Sequence, residues 1–464
     1  MEHNQIDTIC AISTPPGSGG IAVIRVSGPD AINIADRLWR GKPLTDTPSH
    51  KATLGDIVNP ADGEVIDTCL ATVFHAPRSF TGHNTVEFSV HGSPYIQQQL
   101  LNSLIDAGAT LARPGEFTRQ AFANGRLDLA EAEAVADVIA STTRAAHRIA
   151  ASQMRGDFSR HLAELRTCLL DIAALLELEL DFSDQQVEFA SRDHIIELAT
   201  EINREVNRLA DTFATGNALR NGIPVAIVGD TNAGKSTLLN RLLNHDRAIV
   251  SDIKGTTRDT IEDTITLSGT LFRFIDTAGI RVTDDPIENL GIDRSITALS
   301  NSTVALWVID ATDPQSVTMP AENILSTLTL ATHLIAVINK TDLPAHPELE
   351  ATLASTLPEG TPVIRLSAAG TTDLTPLTQA IISASGIADI SADAITITNA
   401  RHYQALTNAA QSTARLIDGL RQGISADFVA QDLRETIHHL GEITGTVTTP
   451  DILATIFSRF CIGK

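Results

Sequence analysis

One segment of this 464-residue chain constrains its fold and chemistry more than any other: residues 229–237 read GDTNAGKST and follow the apolar run 223–228. A strand that ends in such a turn and opens a helix leaves backbone N–H groups pointing outward, where the helix dipole favours phosphate oxygens. Gly229 and Gly234 would let the backbone approach a ligand closely. The segment therefore predicts a phosphate-binding loop for a nucleoside triphosphate.

The side chains of this loop predict how phosphates and a metal ion would be held. Lys235 can reach the β and γ phosphates, and the Ser236 hydroxyl is suited to ligate Mg²⁺. A glycine turn used only for packing is the alternative, which the complete G-x-x-x-x-G-K-[ST] pattern behind a strand disfavours. The predicted nucleotide contacts in the loop are Asn232, Ala233, Gly234, Lys235, Ser236 and Thr237.

The base is indicated by a second motif, NKTD at 339–342, which ends the apolar run 334–338. A carboxylate at Asp342 can accept hydrogen bonds from the N1 hydrogen and the exocyclic amine of guanine, whereas adenine would leave it unpaired. Asn339 would contact the base edge or brace the phosphate loop, and Lys340 would lie along the ring. The predicted guanine contacts are Asn339, Lys340, Thr341 and Asp342, with backbone N–H groups from Ser367, Ala368 and Ala369.

A third motif between these two resembles the second switch of Ras-like GTPases. It comprises Asp276, Thr277, Ala278 and Gly279 and ends another apolar run. Ras-like proteins have a water-orienting glutamine next, but Ile280 stands there, and an apolar side chain cannot orient water. Glu288 is a candidate for that role, because a carboxylate could order water directly or through a second water. The residues alone favour the other interpretation, in which Glu288 is a solvated helix residue.

No arginine finger is evident, so a bound cation is expected to offset the charge that develops between the β and γ phosphates. Asn232 offers an amide oxygen, and the segment 251–259 offers backbone carbonyls if it folds over the nucleotide. We expect potassium as that cation and Thr257 as a second Mg²⁺ ligand beside Ser236. The predicted nucleotide contacts in this segment are Ser251, Asp252, Ile253, Lys254, Gly255, Thr256 and Thr257.

Composition limits the remaining possibilities. The 34 basic and 56 acidic residues give a net charge of −22, which disfavours indiscriminate nucleic-acid binding, so any RNA contact must be local. Four widely separated cysteines disfavour disulfides and zinc sites. The chain shows neither a signal peptide nor an apolar run of about 20 residues, so we expect a cytoplasmic protein without membrane contact.

Hydrophobic periodicity predicts an α/β and α multidomain chain. Residues 1–120 form an α+β domain, 121–218 and 386–464 are two helical blocks of one split domain, and 219–385 form an inserted Ras-like, doubly wound GTPase domain. Five strands are predicted in the insertion, at 223–228, 271–275, 304–310, 334–338 and 362–366. The predicted buried helix positions include Leu127, Ala130, Ala134, Ile139, Leu169, Ile172, Leu176, Phe428, Leu433, Ile437 and Leu440.

Four further segments carry a resemblance to a known family. They read DTICAISTPPGSGGIAVIRVSG at 7–28, FTGHNTVEFSVHG at 80–92, ARPGEFTRQAFANGRLDLAEAEAVADVI at 112–139 and FSRFCIGK at 457–464. With the GTPase motifs they make the chain similar, over essentially its whole length, to the MnmE (TrmE) family of tRNA-modification GTPases. The terminal CIGK combined with an internal GTPase domain is highly specific.

The resemblance implies a potassium-dependent GTPase and a homodimer formed through the folate-binding amino-terminal domain. With the FAD-containing partner MnmG, in a heterotetramer-type complex, such an enzyme places an aminomethyl or carboxymethylaminomethyl group on carbon 5 of the tRNA wobble uridine. A 5-formyltetrahydrofolate or related folate supplies the one-carbon unit, and GTP is the hydrolysed substrate.

By matched position, the resemblance also assigns residues. Folate would be contacted by Arg25, Glu87, Arg126 and Lys464, and potassium by Asn232, Ser251, Ile253 and Thr256. Glu288 matches the catalytic glutamate, and Cys461 would lie near the folate with a possible chemical role. The chain departs from the family pattern at Ser18, His83, Asn84, Arg126, Thr231 and Pro286.

Two other functions are compatible with a GTPase of this organisation. One is a switch that binds ribosomal RNA or assembly intermediates, and the other is a scaffold whose nucleotide site only regulates oligomerisation. Nucleoside analysis of tRNA distinguishes both from a modification enzyme.

Overall fold

A computed structural model describes residues 7–181, 192–246, 262–276, 296–329, 332–370, 373–386, 395–458 and 460–463. The chain divides into two compact units. Met1–Ile139, Ser152–Leu198 and Arg415–Lys464 form the first, whereas Ala140–Ala151 and Ala199–Ala414 form the second. Each unit contains helices from both of the predicted helical blocks. The split helical domain is therefore not a third compact unit of its own.

The first unit is built on a seven-stranded sheet of order β3-β4-β5-β6-β2-β1-β7. Its neighbours are antiparallel except for β1 and β7, which run parallel. Its strands are β1 (Ile9–Ile12), β2 (Gly19–Ser27), β3 (Trp39–Arg40), β4 (Lys51–Val58), β5 (Val65–Phe74), β6 (Thr85–Gly92) and β7 (Thr110–Leu111).

Helices occupy most of the remaining described chain. They are α1 (Ala31–Arg37), α2 (Pro94–Asp106), α3 (Glu116–Ala123), α4 (Leu129–Ala140), α5 (Arg144–Met154), α6 (Asp157–Asp181), α7 (Arg192–Asp211), α8 (Phe213–Asn221), α9 (Lys235–Asp246), α10 (Gln315–Thr327), α11 (Leu349–Thr356), α12 (Thr375–Ala384), α13 (Ala400–Arg421), α14 (Ala426–Thr444) and α15 (Pro450–Phe457). None of the helices in these ranges is long and apolar enough to cross a bilayer.

Alternation along β2 explains why one face of the first sheet carries the main core, while a smaller buried cluster that includes Ala11 and Phe117 lies apart from it. Ala22, Ile24 and Val26 are buried under α1 and α2, and the residues between them point to the opposite face. Successive side chains of a strand alternate between faces, so the same segment supplies both a core and an accessible surface. On that other face Ile21 is 69% exposed.

Within the first unit the two helical blocks pack together, as the split-domain prediction requires. Helix α6 from the first block packs against α14 from the second. At the end of the chain, Phe457 contacts Phe122 and Phe460, with ring centroids 6.4 and 5.5 Å apart. These rings join α15 to α3 over a buried patch that includes Leu129.

Two predicted core positions in the helices are wrong. Phe428 is 72% exposed and Ile139 is 50% exposed. In α14 the buried face runs through Val429, Leu433 and Leu440, and Phe428 lies one residue, or about 100°, away from it. Apolar spacing alone did not show which of two adjacent residues began the buried stripe.

The second unit contains a six-stranded sheet of order β13-β12-β11-β8-β10-β9. All five predicted strands are present, and every described pair is parallel except β10 with β9. The strands are β8 (Ile223–Gly229), β9 (Glu262–Leu267), β10 (Thr270–Asp276), β11 (Val304–Asp310), β12 (His333–Asn339) and β13 (Val363–Arg365). Sequence reasoning missed β9, because, of the side chains described in this edge strand, from 263 to 267, only Ile265 and Leu267 are buried.

Both faces of this second sheet are covered, which is the doubly wound arrangement expected from the sequence. In β8, Val225 and Ile227 pack into one core, and Ala226 and Val228 pack into the other. All seven residues of β11 are buried. Parallel strands with helices on both faces read as continuous apolar runs for this reason.

The chain enters and leaves this domain at neighbouring points. The backbone N–H of Ile397 donates to Thr212 Oγ1 at 3.0 Å, and a Cβ on Gly216 would lie 2.2 Å from the Ile397 carbonyl oxygen. Nearby, Phe213 stacks on Tyr403 with ring centroids 4.6 Å apart. Such closeness is what insertion of one domain into another needs.

Candidate functional site

The phosphate loop joins β8 to α9 through two glycines that no other residue could replace without strain. Gly229 has φ 142° and Gly234 has φ 94°, both in the region that disfavours side chains. A Cβ on Gly229 would lie 2.2 Å from the Val308 carbonyl oxygen, and one on Gly234 would lie 2.2 Å from Asn339 Nδ2. The loop therefore packs directly against the ends of β11 and β12.

Asn339 links the phosphate loop to the loop after β13. Its Nδ2 donates to the Ala233 carbonyl at 2.8 Å, and its Oδ1 accepts from the Ala368 N–H at 2.8 Å. Asn339 was predicted either to contact the base edge or to brace the phosphate loop, and these two hydrogen bonds brace the loop. The Ala368 N–H, predicted to face the base, is engaged by this brace. The Ser367 carbonyl accepts from the Arg241 guanidinium on α9, a contact that sequence reasoning missed.

Lys235 is folded back over the phosphate loop. Its Nζ donates to the carbonyls of Gly229 at 3.1 Å and Asp230 at 2.8 Å, and the residue is buried. The side chains of Ser236 and Thr237 are exposed at the start of α9. The ammonium group is thus held at the loop while the two hydroxyl residues remain open to solvent.

Asn232 stands out within the loop. It has φ 68°, a left-handed conformation that Asn adopts more readily than most residues, and it is exposed. Its side chain is therefore accessible on the surface of the loop that carries the nucleotide motif.

The guanine motif places its residues at the end of β12. Asp342 is exposed, and Lys340 has φ 62° and pairs with Asp310 at 2.6 Å. Asp310 lies at the end of β11, opposite Asn339 in the strand register. Sequence reasoning did not single out Asp310, because a carboxylate ending a strand carries no motif of its own.

Two predicted folate residues meet in the first unit. Arg25 on β2 lies opposite Glu87 on β6, and Arg25 Nε donates to Glu87 Oε1 at 2.8 Å. The guanidinium carbon lies 5.6 Å from the Phe80 ring centroid and 5.4 Å from that of Phe117. The ion pair is thus bordered by two aromatic rings, which sequence reasoning missed although both lie in the quoted segments.

A loop beside this pair is braced by hydroxyl and amide contacts. Thr81 Oγ1 shares a 2.6 Å hydrogen bond with Ser27 Oγ, and the Thr81 carbonyl accepts from Asn124 Nδ2 at 2.7 Å. Arg126 is exposed and lies against Gly82, where a Cβ would come within 3.2 Å of its Cγ. Burial lowers the pKa of His83 in the same loop, which favours the neutral imidazole.

The end of the chain docks on β1. Ser13 Oγ donates to the Gly463 carbonyl at 3.2 Å, and the Gly115 N–H donates to the Cys461 carbonyl at 3.4 Å. Since Ala11 in β1 is the register partner of Arg25, this tail reaches the strand beside the Arg25 and Glu87 pair. Cys461 is exposed at this place.

Comparisons with known proteins agree with this architecture. Residues 8–126 match the family model of the GTP-binding protein TrmE N-terminus, and residues 129–461 match that of the MnmE helical domain. The second match spans both helical blocks. A protein of Parabacteroides distasonis named tRNA modification GTPase MnmE is 52% identical over 465 residues, covering 99% of this chain and 100% of that protein.

The chain belongs to the MnmE family of tRNA modification GTPases.

A second relative, tRNA modification GTPase MnmE of Bacteroides thetaiotaomicron, is 48% identical and covers 99% of each chain. A crystal structure of an Aquifex aeolicus Era variant bound to GDP.AlF4- is 28% identical over 40% of this chain and 65% of its own. Its TM-score is 0.29, too low to carry an argument about this protein. Membership in the MnmE family rests on the full-length match.

Several predicted site residues lie outside the described residues. This holds for the segment with Ser251, Asp252, Ile253, Lys254, Gly255, Thr256 and Thr257, for Thr277, Ala278 and Gly279, and for Glu288 and Lys464. Asp276 is described as the last residue of β10, whose parallel register places it opposite Ile227 in β8. The third motif therefore starts at the same sheet edge as the phosphate loop.

The cysteines of this MnmE-family chain differ in burial. All four are free, Cys10 and Cys69 are buried, and Cys168 and Cys461 are exposed. Burial raises the pKa of Cys10 to about 12, and burial with the nearby carboxylates of Asp67 and Asp56 raises that of Cys69 to about 12. Because only a thiolate is strongly nucleophilic, we expect these two buried thiols to be unreactive core side chains.

Proposed function

We propose that this tRNA modification GTPase depends on potassium and, with an FAD-containing partner, modifies carbon 5 of the tRNA wobble uridine with a folate one-carbon unit. The observation that carries the proposal is Asn232, an exposed amide in a left-handed turn of the braced phosphate loop. An amide oxygen is a suitable alkali-metal ligand, and no donated arginine is evident from the sequence.

In the nucleotide site, this chain's own residues would bind, orient and discriminate. Lys235 would turn its ammonium group from loop carbonyls toward phosphate oxygens, and Ser236 would hold Mg²⁺ together with Thr257. Asp342 would accept from the guanine edge. Potassium, held by Asn232, Ser251, Ile253 and Thr256, would supply positive charge beside the bond that breaks.

Glu288 would order the attacking water in place of the glutamine that Ile280 replaces. Glu288→Ala tests this role, since it removes the side-chain oxygens that would hold the water, whereas glutamine would replace them with the amide that orients water in Ras-like GTPases. We expect GTP turnover to fall by about 100-fold with nucleotide affinity retained. Unchanged turnover would assign the glutamate to the solvated helix surface.

The decisive experiment on the cation is GTP turnover by the full-length protein in potassium and in sodium at equal ionic strength. We expect turnover in potassium only, and Asn232→Ala should abolish the difference between the two salts. Thr231→Ala, which changes the neighbouring exposed residue, is the matched control. Equal rates in both salts for the wild type would reject the potassium proposal.

For the folate, the Arg25 and Glu87 pair offers complementary chemistry. A carboxylate can pair with the donor edge of a pterin, a guanidinium can donate to its acceptor atoms, and the exposed ring of Phe80 can pack on a flat heterocycle, whereas Phe117 is buried behind Arg25. Because Arg25 and Glu87 contact each other at 2.8 Å, both would meet the same part of a ligand. Arg126 and Lys464 would then serve the acidic tail.

Binding of 5-formyltetrahydrofolate to the full-length protein tests this site by calorimetry. Glu87→Gln keeps the hydrogen-bond acceptor and removes the charge, so it should weaken binding by about tenfold. Glu64→Gln, at an exposed turn of the same unit, is a matched control. Equal folate affinities for the wild type and Glu87→Gln would reject the proposal that the folate binds at Glu87.

The homodimer is proposed to form through the open face of the first sheet. Leu54 on β4 is 68% exposed and lies opposite Leu70 on β5, which is also exposed. Adjacent exposed leucines on a sheet are typical of an interaction surface. Leu54→Glu should shift the mass measured by light scattering toward the monomer, whereas Tyr95→Ser, another exposed apolar position of this unit, should leave it unchanged.

Nucleoside analysis of tRNA from a deletion strain tests the modification itself. We expect loss of the carbon 5 substituent at the wobble uridine and its return when the gene is restored. Unchanged wobble uridines with altered ribosome profiles would favour the RNA-assembly alternative. Restoration by a Lys235→Ala variant would favour the scaffold alternative, because that variant lacks the phosphate-binding ammonium group.

A further inference from the structure

The carboxylate of Asp310 stands beside the proposed guanine site without belonging to any nucleotide motif. In the register of β11 and β12 it lies opposite Asn339, which brings the next residue, Lys340, within reach. Asp310 Oδ2 accepts from Lys340 Nζ at 2.6 Å, and Asp310 is only 8% exposed. The carboxylate of this close ion pair is largely buried, although the Lys340 side chain is 33% exposed, so the pair differs from the weak pairs of an open surface.

The carboxylate is fixed from its other side as well. Its Oδ1 accepts from the Thr312 N–H at 2.9 Å and from Thr312 Oγ1 at 2.8 Å. Burial by itself raises the pKa of Asp310, but the hydrogen bonds from Lys340 and Thr312 and the lysine charge outweigh it and hold the pKa below its ordinary value. Asp310 is therefore a charged, oriented anchor at neutral pH.

Lys340 is a residue that needs such an anchor. Its backbone has φ 62°, a conformation that non-glycine residues keep only where their surroundings favour it. Its side chain has many rotamers, and ordering them during ligand binding would reduce affinity. Pairing with Asp310 orders the lysine before a ligand arrives.

We propose that Asp310 is a positioning residue for guanine recognition, because its contact with Lys340 Nζ holds the aliphatic part of that lysine as a preformed wall beside the base. The inference rests on the guanine site proposed for Asn339, Lys340 and Asp342. Asp310 itself does not touch the nucleotide. It acts through Lys340, so its effect exists only while that lysine is present.

The test measures GDP affinity of the full-length protein by equilibrium binding of a fluorescent GDP. Asp310→Asn keeps the shape and an acceptor oxygen but removes the charge, and we expect GDP to bind about tenfold more weakly. Asp313→Asn makes the same change three residues later, at a carboxylate whose Oδ1 accepts from the Gln315 N–H and not from Lys340, and should bind GDP as wild type does. Thermal melting of each variant verifies that the fold is retained.

A double-substitution cycle separates positioning from general support. Lys340→Met keeps the aliphatic stem and removes the ammonium group, and adding Asp310→Asn to it should cause no further loss of GDP affinity. A further tenfold loss in the Lys340→Met background would overturn the proposal, as would wild-type affinity in Asp310→Asn alone. If Asp310→Asn fails to fold, Lys340→Met alone must weaken GDP binding for the proposal to stand.

Asp342→Asn distinguishes failure of this inference from failure of the guanine site. We expect it to reduce the preference for GDP over ADP. If that preference is unchanged, the guanine site is misassigned and the role of Asp310 falls with it. If the preference is lost and Asp310→Asn still binds GDP normally, the site stands and only the positioning role is rejected.

Discussion

Asn339 Nδ2 occupies the space that any side chain at position 234 would need, since a Cβ on Gly234 would lie 2.2 Å from it. The same Nδ2 donates to the carbonyl of Ala233, the residue just before Gly234. The second glycine of the phosphate loop is therefore required by a neighbour from a different strand as well as by its own φ of 94°. The phosphate loop and the loop after β13 share one amide as their common support.

Substitution of Gly234 tests this steric relationship. Gly234→Ala should destabilise the second unit by about 1–3 kcal/mol through left-handed strain, with an added loss from displacing Asn339. Gly386→Ala is the matched control, because Gly386 has φ 67° and open space around it. Thermal unfolding should show the larger loss for Gly234→Ala. Equal losses in the two variants would contradict a steric role for Asn339.

Removal of the Asn339 side chain should destabilise both the phosphate loop and the loop after β13. Asn339→Ala leaves the Ala233 carbonyl and the Ala368 N–H without their shared partner, at a cost of about 1–3 kcal/mol for each group that stays buried. Asn221→Ala, at an exposed position of the same unit, should cost far less. Denaturant unfolding with and without GDP measures both. A wild-type midpoint for Asn339→Ala would show that water replaces the brace fully.

The docked tail depends on Gly463. This residue has φ 95°, and a Cβ there would lie 2.3 Å from the Ile12 carbonyl oxygen. Gly463→Ala should release the tail from β1 and speed hydrogen exchange of the Gly115 N–H, which donates to Cys461. Gly108→Ala, with φ 110° and no close neighbour, controls for backbone strain. Unchanged exchange at Gly115 would mean that the tail is held by other contacts.

The buried thiols predict a loss of stability in alkali. The folded pKa of Cys10 and of Cys69 is about 12, above the unfolded value of about 8.5. Their contribution is therefore fully present below about pH 8.5 and is lost progressively as the pH rises toward 12. Cys69→Ala should flatten this decline in denaturant unfolding between pH 8 and pH 10, and exposed Cys168→Ala should not. Parallel declines in all three proteins would reject the assignment.

Much of this fold could be predicted from local sequence patterns. The strand, glycine turn and helix around Gly229 are coded by neighbours in the chain, and the five predicted strands each needed only a short apolar run between turns. Strand β9 was not predicted, because an edge strand with two buried side chains has too short an apolar pattern to be recognised in the sequence. Phe428 was misplaced because a one-residue shift in phase changes the buried face of a helix.

Contacts between distant segments could not be obtained in this way. Asn339 and Ala233 meet because β12, β11 and β8 are neighbours in the sheet and their carboxyl ends converge, and the order of strands is a property of the whole domain. The same convergence pairs Asp310 with Lys340. In the first unit, the β2 and β6 register brings Arg25 against Glu87.

The sequence by itself determined the chemistry available to this protein: a phosphate loop, a guanine motif, a switch motif and the terminal CIGK, because each is a short run whose meaning lies in adjacent residues. Only the tertiary structure decided which groups act together. It gave Asn339 its role as a brace, set Asp310 beside Lys340, bordered Arg25 with two phenyl rings and docked the tail on β1. Those pairings follow from strand order and packing, which fold distant parts of the chain into contact and leave no mark in the local pattern.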